Sequence, residues 1–242
     1  MDSKSLYSAQ AASIASRIPE RPSGRDAAVL AAIGAHLGAR RNGAAIAELS
    51  VGDGTLSVAL DRAFPEAALT FVDISRPHLD ALAGLLGGRG DYVEANLDND
   101  FARLADGAFD AVIALDILEH VFDVFGFVAH CRRVLAPGGA LFLRVPNVAY
   151  AKHRLTLMAG QLPVTASWFG RPGDLAAWRQ TYGWDGGHLH YFTLATLRGL
   201  LGDAGLRVVE VADPGARFER LRGLAPSLLC GNLFVVARPR GA

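Results

Sequence analysis

The stretch from Ile46 to Ser57, Ile-Ala-Glu-Leu-Ser-Val-Gly-Asp-Gly-Thr-Leu-Ser, narrows the fold more than any other part of the chain. An apolar run with Glu48 near its end breaks into a turn carrying Gly52 and Gly54. It then resumes with Leu56, Leu60 and Phe64 at helical spacing. A buried strand, a tight glycine turn and a helix whose N-terminus faces that turn make a cradle for a small ligand. Glycine is needed there because a ligand must approach backbone without a Cβ in the way, or because the turn takes positive φ. Further on, Leu69-Thr70-Phe71-Val72-Asp73 reads as a second strand ending in a carboxylate. An acid about twenty residues beyond such a turn is placed to accept hydrogen bonds from ribose hydroxyls.

The rest of the chain repeats the same alternation. A breaker-rich segment, Pro19 to Gly24, separates a Ser- and Ala-rich arm from a helix running from Asp26 to about Gly38. The arm has a faint likeness to a transit peptide, but Asp2 and Glu20 interrupt it and no signal-peptide core is present. After the second strand comes a helix from about Pro77 to Leu86, stopped by Gly87 and Gly88. A short third strand, Asp91 to Ala95, precedes the near-continuous apolar run Phe109 to Leu115, which has the pattern of a strand buried on both faces. A helix over roughly Phe122 to Leu135, closed by Pro137-Gly138-Gly139, leads to a fifth strand, Ala140 to Val145. Thr193 caps a helix from Leu194 to Ala204, and strands Leu206–Val211 and Asn232–Ala237 follow, joined by a Pro/Gly/Arg-rich connection. Strands alternating with helices predict an α/β fold with a mostly parallel sheet covered on both faces.

Between residues 148 and 191 the alternation lapses. This segment holds Trp168, Trp178 and Trp184 and is too apolar for a linker. It reads as a partly helical insertion covering a substrate. The expected organisation is an arm and helix over 1–40, then a domain over 41–242 that carries this insertion.

Composition removes several function classes. The formal net charge is zero, so nothing calls for nucleic acid or an anionic membrane, and no apolar run has the length of a membrane span. Cys131 and Cys230 are too few for a disulfide framework or a zinc site, which fits a reducing, cytoplasmic setting.

Together these pieces resemble the class I S-adenosylmethionine-dependent methyltransferases over about residues 40–240. The first motif of that family, acid-x-Gly-x-Gly-x-Gly, reads here Glu48-Leu49-Ser50-Val51-Gly52-Asp53-Gly54, with Ser50 replacing the first glycine. Phe109-Asp110-x-Val112-Ile113 with Asp116 and Glu119-His120, then Arg133-Val134-Leu135-x-Pro137-Gly138-Gly139, is similar to the branch holding ubiquinone-pathway O-methyltransferases and MetW-like proteins. Val145-Pro146-Asn147, His188-x-His190-x-Phe192-Thr193 and Ala204-Gly205-Leu206 fit that branch as well. The resemblance implies a Rossmann-like seven-stranded sheet with an antiparallel last strand. It also implies S-adenosyl-L-methionine as cofactor, held by Glu48, Ser50, Gly52, Gly54, Asp73, Ile74, Asn96, Leu97, Leu115 and Asp116.

Each candidate has a plainer reading beside the chemical one. Glu48 and Asp73 are cofactor contacts or solvated carboxylates at the sheet rim. Asp116 is a ligand contact in the crevice beyond the fourth strand or a cap on the next helix. His188 and His190 alternate, so an extended segment turns both to one side, as general base and orienting group or as a zinc pair lacking an evident third ligand. His120 joins them as a catalytic candidate or holds a loop. The tryptophans are packing or an apolar acceptor surface. No metal site is expected.

The reading that collects most of these residues is methyl transfer to an oxygen of a small-molecule acceptor. Two others stand beside it. An NAD-dependent oxidoreductase uses a similar glycine turn and acid, but Ser57 occupies the third fingerprint position. A methyltransferase-like partner subunit without turnover is suggested by Ser50 and Asn96, two cofactor positions that depart from the family pattern.

Overall fold

The computed structural model describes residues 22–163 and 188–241. The arm before residue 22, the three tryptophans and most of the 148–191 insertion lie outside the described residues.

The chain enters through α1 (Gly24–Leu37), whose N-cap Ser23 accepts from the Asp26 N–H and whose Val29, Ile33 and Leu37 are buried. The order then runs β1 (Ala45–Leu49), α2 (Thr55–Ala63), β2 (Ala68–Asp73), α3 (Arg76–Leu85), β3 (Asp91–Glu94) and β4 (Phe109–Leu115). After α4 (Val124–Val134) come β5 (Leu135–Pro146), α5 (Ala151–Met158) and α6 (Leu194–Asp203). The chain closes with β6 (Leu206–Ala212), α7 (Glu219–Arg222), α8 (Pro226–Leu229) and β7 (Asn232–Pro239).

The seven strands form one sheet in the order β3-β2-β1-β4-β5-β7-β6. The pairs from β3 through to β5 are parallel, and β7 is antiparallel to both of its neighbours. The expected architecture, with its antiparallel last strand, is therefore present. Apolar side chains alternate through the central strands and fill two cores. One, under α1, α2 and α3, contains Ile46, Phe71, Ile113 and Phe142. The other, under α4 and α6, contains Leu49, Val112, Leu143 and Val235. Strands buried on both faces need helices on both faces, so a three-layer sandwich follows.

Two local differences from the sequence reading have clear causes. Helix α4 stops at Val134, and Leu135 already pairs with Phe109 of β4. The next paired residues are Ala111 and Ala140, so residues 136–139 bulge out of β5 and Pro137-Gly138-Gly139 sits within the strand. Gly139 is confined there: a Cβ on it would come within 2.8 Å of the Phe109 carbonyl oxygen. The connection after β6 also holds two single-turn helices, α7 and α8, which are too short to show a period in sequence.

Candidate cofactor and acceptor site

Strand order reverses between β1 and β4, the two strands that follow their neighbours in opposite directions across the sheet. In open α/β sheets such a reversal leaves a crevice at the carboxyl ends of the strands, and ligands bind there. The loop after β1 and the loop after β4 are its two walls.

The β1 loop is built on positive φ. Ser50 sits at φ 70°, Gly52 at 54° and Gly54 at 77°. Ser50 donates its N–H to the Val72 carbonyl at 2.8 Å, which fastens the loop to β2. A Cβ on Gly52 would meet no atom of the described residues within 4 Å, so the backbone there faces a gap among them. Beneath the loop Glu48 is buried and accepts from the Ser57 hydroxyl at 2.7 Å, tying the end of β1 to the first turn of α2. Burial pushes the Glu48 carboxyl up to about 8, against the lowering effect of that hydrogen bond. Ser57, which in sequence marks only a departure from the nicotinamide fingerprint, holds this acid.

Asp73 ends β2 and is buried. Its two oxygens accept from the N–H groups of Val51, at 3.1 Å, and Ser75, at 2.8 Å. Burial raises its pKa, and the Ser75 N–H is the largest influence opposing that shift. The carboxylate thus clamps the glycine loop from the side. Ile74, beside it, is half-buried. Past β3, the Asn96 carboxamide oxygen accepts from the Asp98 N–H at 3.0 Å, and Leu97 points into the core. Asp98 in turn accepts from the Phe122 N–H at 2.6 Å and so ties this loop to the one after β4.

On the opposite wall Leu115 is half-buried and Asp116 takes φ 54°. Asp116 does not cap α4; Asp123 does, accepting from the Gly126 N–H at 2.9 Å. Instead both Asp116 oxygens pair with Arg144 of β5, Nε to Oδ1 at 2.8 Å and Nη2 to Oδ2. The Arg144 side chain is 7% exposed, and burial, with the nearby Arg25 charge, lowers its pKa to about 10. Sequence reasoning missed Arg144, although a charge inside the apolar run Ala140 to Val145 was a usable signal. It also gave Asp110 no role. Asp110 accepts from Arg40 at 3.0 Å and from the Ala45 N–H, also at 3.0 Å, and so fixes the start of β1.

The histidines separate. His120 and His188 meet with ring centroids 4.9 Å apart and planes near perpendicular. His190 lies instead beside Phe192, centroids 6.5 Å apart. The Glu119 carbonyl accepts from the N–H groups of Leu189, at 2.8 Å, and His190, at 3.2 Å, which docks this segment onto the β4 loop. Asn147, at the end of β5, bridges to Phe192, and Val148 donates to the Phe192 carbonyl. Burial, with the neighbouring His188, lowers the His120 pKa to about 4, so its imidazole is neutral near pH 7. Burial raises the Glu119 carboxyl to about 7.

Residues 24–211 match the family described as a methyltransferase domain. The chain belongs to that family. A ubiquinone biosynthesis O-methyltransferase of Xanthomonas oryzae pv. oryzae is 33% identical over 148 residues, 56% of this chain and 60% of that protein. The aligned region thus spans about three fifths of the curated relative's length. Among solved structures, an S-adenosylmethionine-dependent methyltransferase from Mesorhizobium loti superposes with a TM-score of 0.60, covering 86% of this chain and 96% of its own, at 20% identity. The 1,6-didemethyltoxoflavin-N1-methyltransferase of Burkholderia thailandensis, solved with 1,6-didemethyltoxoflavin and S-adenosylhomocysteine bound, superposes with a TM-score of 0.58 over 99% of this chain and 91% of its own, at 16% identity. These likenesses confirm the fold, and family membership selects the methyltransferase reading over the nicotinamide one. The methyltransferase domain is also a physical fit to S-adenosylmethionine: among the described residues nothing crowds the β1 loop at Gly52, and a buried acid ends β2 beside it. No helix among the described residues is long and apolar enough to cross a membrane.

Proposed function

We propose that this chain binds S-adenosylmethionine in the crevice between β1 and β4 and moves its methyl group to an oxygen of a small acceptor. The observation that carries the reading is the clamped loop: three alternate positions, Ser50, Gly52 and Gly54, held at positive φ over the carboxyl end of β1, with Asp73 fastened to Val51 at its edge. The cofactor-holding set is Glu48, Ser50, Gly52, Gly54, Asp73, Ile74, Asn96, Leu97, Leu115 and Asp116. Within it, Glu48 braces the loop from below through Ser57, and Asp116 stands paired with Arg144 of β5 on the β4 side of the crevice.

When bound, the cofactor supplies an electrophilic sulfonium methyl, and displacement at that carbon is in line. The protein contributes mainly position. A base is needed where the acceptor must lose a proton, and His120, His188 and His190 are the neighbouring groups suited to that task. On this reading the arm and helix of 1–40 precede a 41–242 domain, and its insertion over 148–191 selects the acceptor. The O-methyltransferase named among the relatives favours an oxygen acceptor. Two free, buried cysteines suit a reducing, cytoplasmic setting.

Calorimetric titration with S-adenosylmethionine and S-adenosylhomocysteine, repeated on Asp73→Ala, tests this. Micromolar binding by the parent protein, weakened at least tenfold in the variant, is the expected result. Folded protein that takes up neither ligand overturns the enzyme and leaves a methyltransferase-like partner subunit.

A further inference from the structure

Glu119 lies in the β4 loop and is 1% exposed. Among the described residues, neither carboxyl oxygen finds a hydrogen-bond partner. A buried carboxyl without a partner is costly, and such an atom in a native site marks an interaction still to be accounted for. The rings of His120 and His188 stand beside it. One ligand atom from each of Glu119, His120 and His188 lies within 4.8 Å of the other two.

The backbone builds this cluster rather than leaving it to chance. The Glu119 carbonyl receives two N–H groups, from Leu189 and His190, so the segment carrying His188 is fixed to the loop carrying Glu119 and His120. His120 is fixed in turn by its N–H to the Ile117 carbonyl at 2.9 Å. Two imidazoles and one carboxylate are the donor set of a well-known class of zinc site with three protein ligands and an open fourth position. The same set disfavours magnesium and calcium, which prefer oxygen on all sides. Donors around a tetrahedral zinc ion stand about 3.3 Å apart for bonds of about 2.0–2.1 Å, so modest side-chain rotation closes the cluster.

We propose that Glu119, His120 and His188 bind one divalent transition-metal ion of the zinc class, with one coordination position open to an oxygen ligand. Binding of the ion does not depend on the methyltransferase reading. The use of the open position does rest on it: an acceptor hydroxyl coordinated there would release its proton more readily to solvent water, with the two imidazoles serving as ligands rather than bases. The third ligand was hidden in sequence because Glu119-His120 and His188 meet only through the fold.

The test uses the full chain, stripped with a chelator and dialysed. It is titrated with Co2+ while visible absorption is recorded, and with Zn2+ by calorimetry. One equivalent of Co2+ with the intense bands of tetrahedral coordination, displaced by Zn2+, is expected. Glu119→Gln and His188→Ala each weaken binding at least tenfold, and His190→Ala leaves the metal affinity within twofold. No stoichiometric uptake by folded protein overturns the proposal, and so does uptake that neither Glu119→Gln nor His188→Ala alters. Glu119→Gln keeps the side-chain shape, so the test stands even where His188→Ala fails to fold. Titrating the same samples with S-adenosylhomocysteine separates the readings: cofactor binding without metal uptake rejects only this site, and metal uptake without cofactor binding rejects only the proposed activity.

Discussion

At Ser50 the backbone holds φ 70° without the freedom of a glycine. A side chain in that region costs about 1–2 kcal/mol. Ser50→Gly removes the strain but restores about 0.4–1 kcal/mol of unfolded-chain freedom. The variant is therefore expected to gain about 0.5–1 kcal/mol, read as a higher urea midpoint at unchanged slope. Glu48 gives a pH signature instead. Its folded pKa, about 8, lies above the ordinary 4.5, so between those values the folded state holds a proton that the unfolded state has lost. Stability attributable to Glu48 is full below pH 4.5 and is lost as pH rises towards 8. Glu48→Gln is expected to flatten that slope, which urea midpoints at pH 5, 6.5 and 8 for both proteins will reveal. Asp116→Asn probes the pair on the β4 side of the crevice. Asparagine tolerates the left-handed backbone at 116, so the change isolates the lost charge and leaves Arg144 buried without its partner. Because Asp116 is 40% exposed, the expected loss is at the lower end for a broken pair, about 2–3 kcal/mol by chemical denaturation.

Among the elements, α6 is the clearest case of a local signal acting at a distance. Thr193 accepts from the Thr196 N–H, and the Thr196 hydroxyl accepts from the Thr193 N–H, a complete capping box. The cap starts a helix whose Leu194, Leu197 and Leu201 are buried, one residue after Phe192 bridges to Asn147. Thr193→Ala is expected to cost about 1 kcal/mol and to lower the melting temperature by a few degrees. Such elements were legible because cap, period and stop are local. The start of β5 was not, since Pro137-Gly138-Gly139 looks like a terminator until Leu135 is seen paired with Phe109. The candidate site divides along the same line. The glycine loop and Asp73 declared themselves through spacing within one β-α-β unit. The Asp116–Arg144 pair and the Glu119–His120–His188 cluster join residues from separate loops, which no window of sequence brings together.

Across the whole molecule, the sheet order puts both loops that flank the crevice on adjacent central strands, β1 and β4, each buried on two faces. That rigidity suits a site whose work is placement. The same order has a consequence for how the protein is made. β7 lies between β5 and β6, pairing with residues 141–146 on one side and 206–212 on the other. On the ribosome, β1 to β5 emerge long before residues 232–239, so β5 must wait with one side of its backbone unsatisfied, and β6 has no neighbour at all. An open strand edge of that kind is a template for pairing with other chains. The period between translation of β5 and translation of β7 is thus the interval in which a nascent chain is most exposed to misassembly, and any shielding by a chaperone matters most then.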